Sequence, residues 1–519
     1  MILFLRLQFR STILTLIAVF AFNCTHAQQT AVISTKTGKI SGAQSKDGKI
    51  VSFKGIPFAA PPVGALRWKA PQPAEKWKGI KDCSKFSASP MQPKPVPFSM
   101  WSSEFLIPEE PISEDCLYLN VWTASKKAGN KKPVLVWIYG GGFSSGGSAC
   151  PIYDGEALAR KDIVVVSLNY RVGIFGFFAH PDLSSDGEKS GNFGLLDQIA
   201  ALKWVKENIG AFGGDPAQVT IAGQSAGSMS VNALVASPLA AGLFDKAIGH
   251  SGANFTSSNP TKEMAESEVR LTLKTLGSAR LEDLRKMDAT ILMNKGNGMR
   301  RPYIDGHVLP EQVADLYATG KQNKVALLHG WNEDEGLVFG PIKNATDFVN
   351  DLRNNYGRNA DFLIGQYRAA NDFEAAQAQL DLSRDQLFGL QGYLWLEAQQ
   401  SQKLPVYAYR FKRIVPATGA YKKFKAFHTG EVPYAFNNLR FVNRPWEKAD
   451  HQLAETMSGY WVNFVKTGNP NGKELPPWPA YQSNEKQIII LDENISHKPM
   501  PDAERLDLLL KIMQACKSN

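Results

Sequence analysis

The sequence FGGDPAQVTIAGQSAG spans residues 212–227 and ends in the G-x-S-x-G pattern of a nucleophile elbow, with Ser225 at its centre. The β-branched apolar run 219–222 before the motif predicts a buried strand. The segment 228–237 after it is rich in Ala, Val, Leu and Met and predicts a helix. A strand, a tight turn and a helix in this order predict that Ser225 is a nucleophile, not the solvated serine of an ordinary glycine-rich turn.

Glycines surround this turn and a second one upstream. Gly223 and Gly227 lack side chains where a strand and a helix must pass close to each other. The N-terminus of the helix leaves the backbone N–H of Ala226 free to bind an anion. Gly140–Gly142 follow another predicted strand, and glycines let the backbone approach an oxyanion with N–H donors. Gly140–Gly142 and Ala226 together predict a three-donor oxyanion hole.

The composition is that of an ordinary globular protein. Of the 519 residues, 44% are hydrophobic and 21% are charged. The net charge of +9 is spread thinly, and no basic stripe is interleaved with aromatic residues. We therefore do not expect nucleic acid as a partner.

The N-terminus predicts export. Arg6 and Arg10 precede an almost wholly apolar run, 11–22, and small residues then occupy the −3 and −1 positions of a cleavage site. This is the pattern of a secretory signal peptide over residues 1–27. The apolar run is short for a membrane span, and no later segment is apolar enough to form one. The mature chain, 28–519, is expected to be secreted or periplasmic, without a stable membrane span.

Buried strands alternate with helices along the mature chain, which indicates a mostly parallel sheet with right-handed crossovers. The segments 260–325 and 341–403 look helical and are expected to form a cap over the carboxyl ends of the strands, where α/β sheets bind ligands. No linker is evident, so 28–519 predicts a single α/β domain. The predicted strands are 117–123, 133–139, 163–169, 219–222, 244–250, 324–328, 406–411 and 488–491, and the main predicted helices are 192–209, 449–467 and 503–516.

A nucleophilic serine needs a base, usually a histidine that a carboxylate holds in one tautomer. In hydrolases with this elbow the chain order is serine, acid, histidine. Three adjacent acids follow the predicted strand 324–328, and their positions do not separate them: Glu333, Asp334 and Glu335. Beyond them, His428 in a loop is favoured as the base over His451 in a predicted helix and His497 in a polar tail.

Taken together, the motifs resemble the type-B carboxylesterases, the cholinesterase-like branch of the α/β hydrolases. The resemblance covers nearly all of the mature chain, and the segment 212–227 fits the family's serine signature in full. Further family blocks follow in family order: EDCLYLNVW (114–122), VWIYGGGF (136–143), NYRVG (169–173), GNFGLLDQ (191–198), NEDEG (332–336), FHTGE (427–431) and YWVNFVKTGNPN (460–471).

The resemblance implies an α/β-hydrolase fold with helical cap insertions and hydrolysis of a small-molecule ester, with no metal and no cofactor. It implies that Glu335 is the acid and His428 the base, and that Gly141, Gly142 and Ala226 are the oxyanion donors. It also implies a disulfide, two structural ion pairs and a serine near the acid: Cys83 with Cys116, Arg67 with Glu114, Arg171 with Asp197, and Ser251.

Two residues depart from the family's pattern. Gln224 precedes the nucleophile where cholinesterases carry Glu, which removes an anionic group and weakens a cationic-substrate interpretation. Trp101 lies roughly where choline-binding members place an indole, but its spacing to Cys116 differs, which favours a rim aromatic. Cys150 and Cys516 have no evident family partner.

The sequence thus predicts an exported serine esterase. A lipase, or an esterase for a bulky natural ester, would use the same three residues. Some members of the family are non-catalytic interaction modules, but those have lost the triad, whereas all three positions are filled here. The physiological ester and the oligomeric state are not encoded in any recognisable pattern.

Overall fold

The computed structural model describes residues 31–124, 129–256, 259–296 and 301–517. The predicted signal peptide, residues 1–27, lies outside the described residues. The strands in chain order are β1 (Val32–Ser34), β2 (Lys39–Ser41), β3 (Ala43–Gln44), β4 (Val51–Pro57), β5 (Ile80–Asp82), β6 (Ser89–Pro90), β7 (Ile112–Ser113), β8 (Tyr118–Thr123), β9 (Lys132–Ile138), β10 (Val164–Leu168), β11 (Gly214–Gln224), β12 (Lys246–His250), β13 (Ala326–Asn332), β14 (Val406–Phe411), β15 (Gln487–Leu491) and β16 (Ser496–Pro499). The α-helices in chain order are α1 (Glu156–Ala159), α2 (Gly173–Gly176), α3 (Phe193–Asn208), α4 (Ala226–Ala236), α5 (Lys262–Leu276), α6 (Leu281–Lys286), α7 (Ala289–Lys295), α8 (Val313–Ala318), α9 (Ala345–Tyr356), α10 (Ala360–Gln366), α11 (Asp372–Arg384), α12 (Leu390–Gln400), α13 (Val432–Ala435), α14 (Lys448–Thr467) and α15 (Ala503–Lys517).

A large mixed sheet forms the centre of the described structure. Its strand order is β16-β15-β14-β13-β12-β11-β9-β10-β8-β4-β3. Neighbouring strands run parallel from β10 to β15, whereas the pairs at both edges are antiparallel. The predicted α/β architecture with a mostly parallel central sheet is therefore confirmed.

The central strands are largely buried because helices cover the sheet. All of β10 and the last five residues of β9 are buried, as the unbroken apolar runs 163–169 and 133–139 predict. The helices α3, α4 and α14 pack against β11, and α4 and α14 also pack against β9. This packing fixes the end of β11, at which the predicted elbow begins.

β11 and β16 are among the strands that differ from the sequence-based expectation. β11 begins at Gly214, not at 219, and its register against β9 shifts between Gly214 and Val219. β16 was not predicted, because all four of its residues are exposed and show no hydrophobic pattern. It pairs with β15 as an edge strand, and its polar side chains are typical of edges that must not pair with another chain.

The helices α5 to α12 lie in the two segments that the sequence predicts to be helical. Met293 of α7 and Leu380 of α11 line the same cavity as Ser225, which directly follows the carboxyl end of β11. The helical insertions therefore border the carboxyl edge of the sheet, as a cap must.

The longest helix, α14, is amphipathic. Its 20 residues begin with a capping box between Glu447 and Asp450, and its buried face carries aromatic residues such as Trp461. Across the described ranges, no helix combines the length and the apolar composition that crossing a bilayer requires.

One core histidine has an unusual environment. His329 of β13 is fully buried, and neither ring nitrogen has a hydrogen-bond partner among the described residues. Cβ atoms on Gly249 and Gly392 would lie 2.6 Å from Nδ1 and 2.4 Å from Nε2, so glycine backbone encloses the ring. Burial lowers the pKa of His329 to about 3, and the nearby His250 adds to the effect.

We expect His329 to make the fold sensitive to acid. An unfolded histidine takes up a proton near its ordinary pKa of 6.5, whereas the folded one resists protonation down to about pH 3. Stability is therefore lost as the pH falls through this window, by about 2 kcal/mol at pH 5. His329→Gln should remove this contribution and flatten the pH dependence of the unfolding free energy by that amount, measured by urea unfolding near pH 7 and pH 5.

The matched control is His451→Gln, because His451 is exposed on α14. This control should leave the pH dependence unchanged. Equal pH dependence in His329→Gln and the unmodified protein would contradict the assignment.

Candidate active site

Ser225 lies between β11 and α4 in a strained backbone conformation. Its φ of 57° and ψ of −125° are unusual for a residue with a side chain, and its N–H donates to the carbonyl of His250 at 2.8 Å. Cβ atoms on Gly227 and Gly223 would lie 2.1 Å from the Ile138 carbonyl oxygen and 2.4 Å from the Gly227 carbonyl oxygen. The glycines of the motif are therefore required by close backbone approach, which the sequence predicts.

The predicted acid and base are joined by a short hydrogen bond. His428 Nδ1 lies 2.8 Å from Glu335 Oε2, and both side chains are buried. A carboxylate accepts, so this bond requires the proton on Nδ1 and leaves a lone pair on Nε2. Glu335 Oε1 accepts the backbone N–H of Asn332 at 2.8 Å, which fixes the carboxylate at both oxygens.

The structure separates the three adjacent acids that sequence position alone left open. Glu333 turns to Arg410 at 3.0 Å and Lys412 at 3.3 Å, and Asp334 lies 3.5 Å from Lys425. Of the three acids, only Glu335 is bonded to His428.

It also separates the three histidines. His451 is exposed on α14, and His497 is exposed on β16. His428 is buried and lines the same cavity as Ser225. The structure therefore brings together Ser225, Glu335 and His428 and leaves the other candidates elsewhere.

The glycine-rich turn after β9 lies directly against the elbow. A Cβ on Gly140 would be 2.5 Å from the Gln224 carbonyl oxygen and 2.9 Å from the Ser225 Cβ. Gly141 and Gly142 adopt positive φ values of 121° and 61°, and both line the cavity with Ser225. Ala226 is the first residue of α4, so its N–H has no carbonyl partner in the preceding turn of that helix.

A buried network supports the acid and the base, and sequence reasoning did not find it. Glu431 Oε2 accepts the side-chain N–H of Asn332 at 2.5 Å, and Glu431 Oε1 lies 3.2 Å from His250 Nδ1. Trp461 donates to His250 Nε2 at 2.9 Å, so His250 carries its proton on Nδ1, toward Glu431. Glu431 therefore links the acid loop to the strand end that holds the Ser225 N–H; its place in the FHTGE block was the available signal.

Two aromatic rings pack on the histidine. Phe388 stacks on His428 with ring centroids 4.5 Å apart, and Trp101 meets it edge-on at 6.3 Å. Phe388 belongs to a π-helical segment, 385–389, between α11 and α12. The Trp101 indole N–H donates to Thr429 Oγ1 at 3.1 Å. Trp101 lines the cavity, as expected of a rim aromatic, and its one donor is already occupied.

The cavity next to Ser225 has a volume of about 1210 Å³. Its walls are largely apolar and come from the loop 91–107, the turn after β9, α7, α11 and the segment 336–342. At its mouth Phe339 is 88% exposed and Phe98 is 58% exposed. Groups of three or more His, Cys, Asp or Glu side chains able to hold a metal ion do not occur among the described residues.

The disulfide that the resemblance implies is not formed in the structure. Cys83 and Cys116 are both free, buried thiols, as is Cys150. The backbone of Cys83 is held at the sheet edge, where its N–H donates to Ser41 and its carbonyl accepts from Lys54. Burial raises the pKa of Cys83 to about 11 and that of Cys150 to about 12, which makes these thiols poor nucleophiles.

Other contacts close the long loop between the two cysteines. β6 and β7 pair in parallel near its two ends. Beside them, Glu114 accepts two hydrogen bonds of 2.6 Å from the Arg67 guanidinium, in the bidentate geometry that favours such pairs. The second implied ion pair, Arg171 with Asp197, is also present and is fully buried.

Comparison with known proteins gives several extensive similarities. A family model described as the carboxylesterase family matches residues 29–509. The para-nitrobenzyl esterase of Bacillus subtilis (strain 168) is 38% identical over 499 residues, covering 91% of this chain and 97% of that protein. The fumonisin B1 esterase of Sphingopyxis macrogoltabida is 36% identical over 470 residues, covering 86% and 84%. The cocaine esterase of Homo sapiens is 33% identical over 496 residues, covering 88% and 87%.

A solved structure of PNB esterase is similar to this chain with a TM-score of 0.79 at 36% sequence identity. The match covers 92% of this chain and 100% of the other. The predicted α/β-hydrolase fold class is thereby confirmed.

We expect Cys83 and Cys116 to be free thiols in the purified protein. In the folded state they should resist alkylation by iodoacetamide at about pH 8, because burial protects the two thiols and holds their pKa values above the usual range. After unfolding without reductant, both should be alkylated, which peptide mass spectrometry measures. A disulfide-linked pair of peptides containing these two residues would contradict the structure.

Proposed function

The chain belongs to the carboxylesterase family and is a carboxylic ester hydrolase, and we propose that it cleaves esters through Ser225, with His428 as base and Glu335 orienting it. The observation that carries this proposal is the 2.8 Å bond between His428 and Glu335 in the cavity that Ser225 lines. Family membership shows that the reaction is ester hydrolysis, and this geometry supports the roles that we assign to the three residues.

In the first step the Ser225 hydroxyl oxygen attacks the ester carbonyl while His428 Nε2 takes the hydroxyl proton. The Nδ1 proton stays on the ring and continues to donate its hydrogen bond to Glu335, so the carboxylate stabilises the imidazolium that forms. The imidazolium then gives the proton to the leaving alcohol, which leaves an acyl group on Ser225. A water molecule then attacks this acyl group in the same way, with His428 again taking and returning the proton, and the acid is released.

The tetrahedral intermediate carries a negative oxygen, which the N–H groups of Gly141, Gly142 and Ala226 would bind. Gly141 and Gly142 line the cavity beside Ser225, and Ala226 starts α4, whose N-terminal dipole favours negative charge. These donors belong to the backbone, so they need little reorganisation when charge develops.

The cavity favours a bulky, largely apolar ester. Its volume of about 1210 Å³ exceeds the roughly 300–1,000 Å³ typical of small-molecule sites. The exposed Phe339 and Phe98 at the mouth extend the apolar surface toward solvent. The same two residues are the observation that favours the second candidate, a lipase acting on lipid esters with the same triad.

We also propose that the protein is exported. The support is the pattern of Arg6 and Arg10 followed by the apolar run 11–22 and small residues before the cleavage site. The mature enzyme would then act in the periplasm or outside the cell.

We expect Ser225→Ala to lower kcat for p-nitrophenyl acetate by a factor of about 10⁴ or more, since the variant lacks the hydroxyl that would form the acyl-enzyme. It should also abolish covalent labelling by a fluorophosphonate probe. Ser185→Ala is the matched control, because Ser185 is exposed and its hydroxyl bonds only locally to Asp182. Turnover retained in Ser225→Ala but lost in Ser185→Ala would reverse the assignment.

The glycine turn supplies a second test. A Cβ at Gly141 would lie 2.3 Å from the Ser145 carbonyl oxygen, and the backbone has a positive φ, so Gly141→Ala must displace the turn. The expected loss in kcat is about 10²–10³-fold, as for the removal of one oxyanion donor. Gly242→Ala also places a side chain at a positive φ of 73°, in an exposed turn where the new Cβ meets nothing within 4 Å, and should leave kcat unchanged. If the two variants had equal activity, the oxyanion role of this turn would be wrong.

A further inference from the structure

Gln224 directly precedes the proposed nucleophile, and its side chain is bonded to the proposed base. It is the last residue of β11 and is buried. Its amide nitrogen Nε2 lies 3.1 Å from His428 Nε2. This is the nitrogen that must accept the serine proton.

The direction of this bond follows from the other side of the ring. Because Nδ1 donates to Glu335, Nε2 carries the lone pair. An amide nitrogen only donates, so the bond runs from the Gln224 N–H to the lone pair of His428. Within the described residues, the Ser225 hydroxyl makes no hydrogen bond, so the amide and not the serine occupies this lone pair.

Gly140 leaves room for the amide. A Cβ at Gly140 would lie 3.1 Å from Gln224 Oε1 and 2.5 Å from the Gln224 backbone oxygen. The glycine-rich turn therefore packs closely on Gln224, and its lack of a side chain preserves the space around the amide oxygen.

We propose that Gln224 is a positioning residue that holds the Nε2 lone pair of His428 in the resting enzyme without placing a second negative charge beside it. This inference rests on the proposed function, in which His428 is the base. It names a role for the one residue of the serine motif that departs from the cholinesterase pattern.

The amide can serve both protonation states of the imidazole. During acylation the Oγ–H bond of Ser225 breaks, Oγ bonds to the carbonyl carbon, and the proton binds the Nε2 lone pair. The Gln224 N–H must release that lone pair first. The protonated Nε2–H can then donate to the leaving oxygen or, after the amide turns by half a rotation, to Gln224 Oε1. A carboxylate at this position could only accept and would favour the protonated ring in the resting state.

The other neighbours of His428 leave Gln224 as the polar side chain bonded at Nε2. Phe388 and Trp101 contact the ring with aromatic surfaces, and Glu335 binds Nδ1. The charged groups on the elements around it have partners of their own: Glu431 with Asn332 and His250, Asp334 with Lys425, and Asp385 with Arg384 and Arg505.

The test compares the dependence of kcat/KM on pH in Gln224→Glu and Gln224→Met, with p-nitrophenyl acetate as substrate. In Gln224→Glu the acid limb should move to higher pH by about one unit or more, because a carboxylate in contact stabilises the protonated imidazole. Gln224→Met keeps the length of the side chain and adds no charge, so its acid limb should move much less. An acid limb that does not move in Gln224→Glu, or that moves equally in both variants, would overturn the proposal.

A second readout does not need turnover. In protein labelled with ¹⁵N-histidine, the Nε2 resonance of His428, assigned with a His428→Gln sample, should shift in Gln224→Met toward that of an unbonded imidazole nitrogen. Gln198→Met is the matched control, because Gln198 is a buried glutamine that bonds Ser230 in α4 instead. An unchanged Nε2 resonance in Gln224→Met would refute the bond. The same spectrum in Ser225→Ala separates failure of this proposal from failure of the catalytic assignment.

Discussion

The hydrogen bond between Glu335 and His428 joins two loops that are 93 residues apart in sequence, and the proposed chemistry depends on it. Each loop follows a strand of the central sheet, β13 and β14, which are parallel neighbours. Parallel strands deliver their carboxyl ends to the same edge, so residues far apart in sequence meet there. β11 ends at that edge too, which brings Ser225 to the same cavity.

Close backbone approach sets the second constraint. The elbow and the glycine turn after β9 come so near that a single methyl group on Gly140 or Gly227 would collide with backbone atoms of the facing segment. The strained φ of Ser225 can persist because these contacts and the bond from its N–H to His250 over-determine the turn. The same packing between β9, β11 and α4 therefore accounts for the strained backbone of Ser225, for the glycines around it and for the position of the proposed oxyanion donors.

The sequence predicts the central strands, the elbow and the helical cap well, since each carries a strong local pattern. Position in the sequence alone does not choose among Glu333, Asp334 and Glu335, and only the family resemblance implied Glu335, because all three follow the same strand end and differ in the direction of their side chains. That direction depends on distant cations such as Arg410 and Lys425, which hold the first two acids away from His428. β16 was missed because an exposed polar edge strand has no hydrophobic period, and the bond from Gln224 depends on a rotamer that no pattern encodes.

Two buried histidines show what a base of this kind requires. The ring of His329 has no bonded partner among the described residues, and its burial lowers its pKa to about 3. A ring in that environment could not take a proton from serine near neutral pH, because no carboxylate among the described residues is bonded to it to stabilise the imidazolium. His428 is buried to a similar degree but has a carboxylate on Nδ1 and an amide on Nε2. Burial alone therefore does not make a histidine a base, and the bonded neighbours of His428 distinguish it from His329.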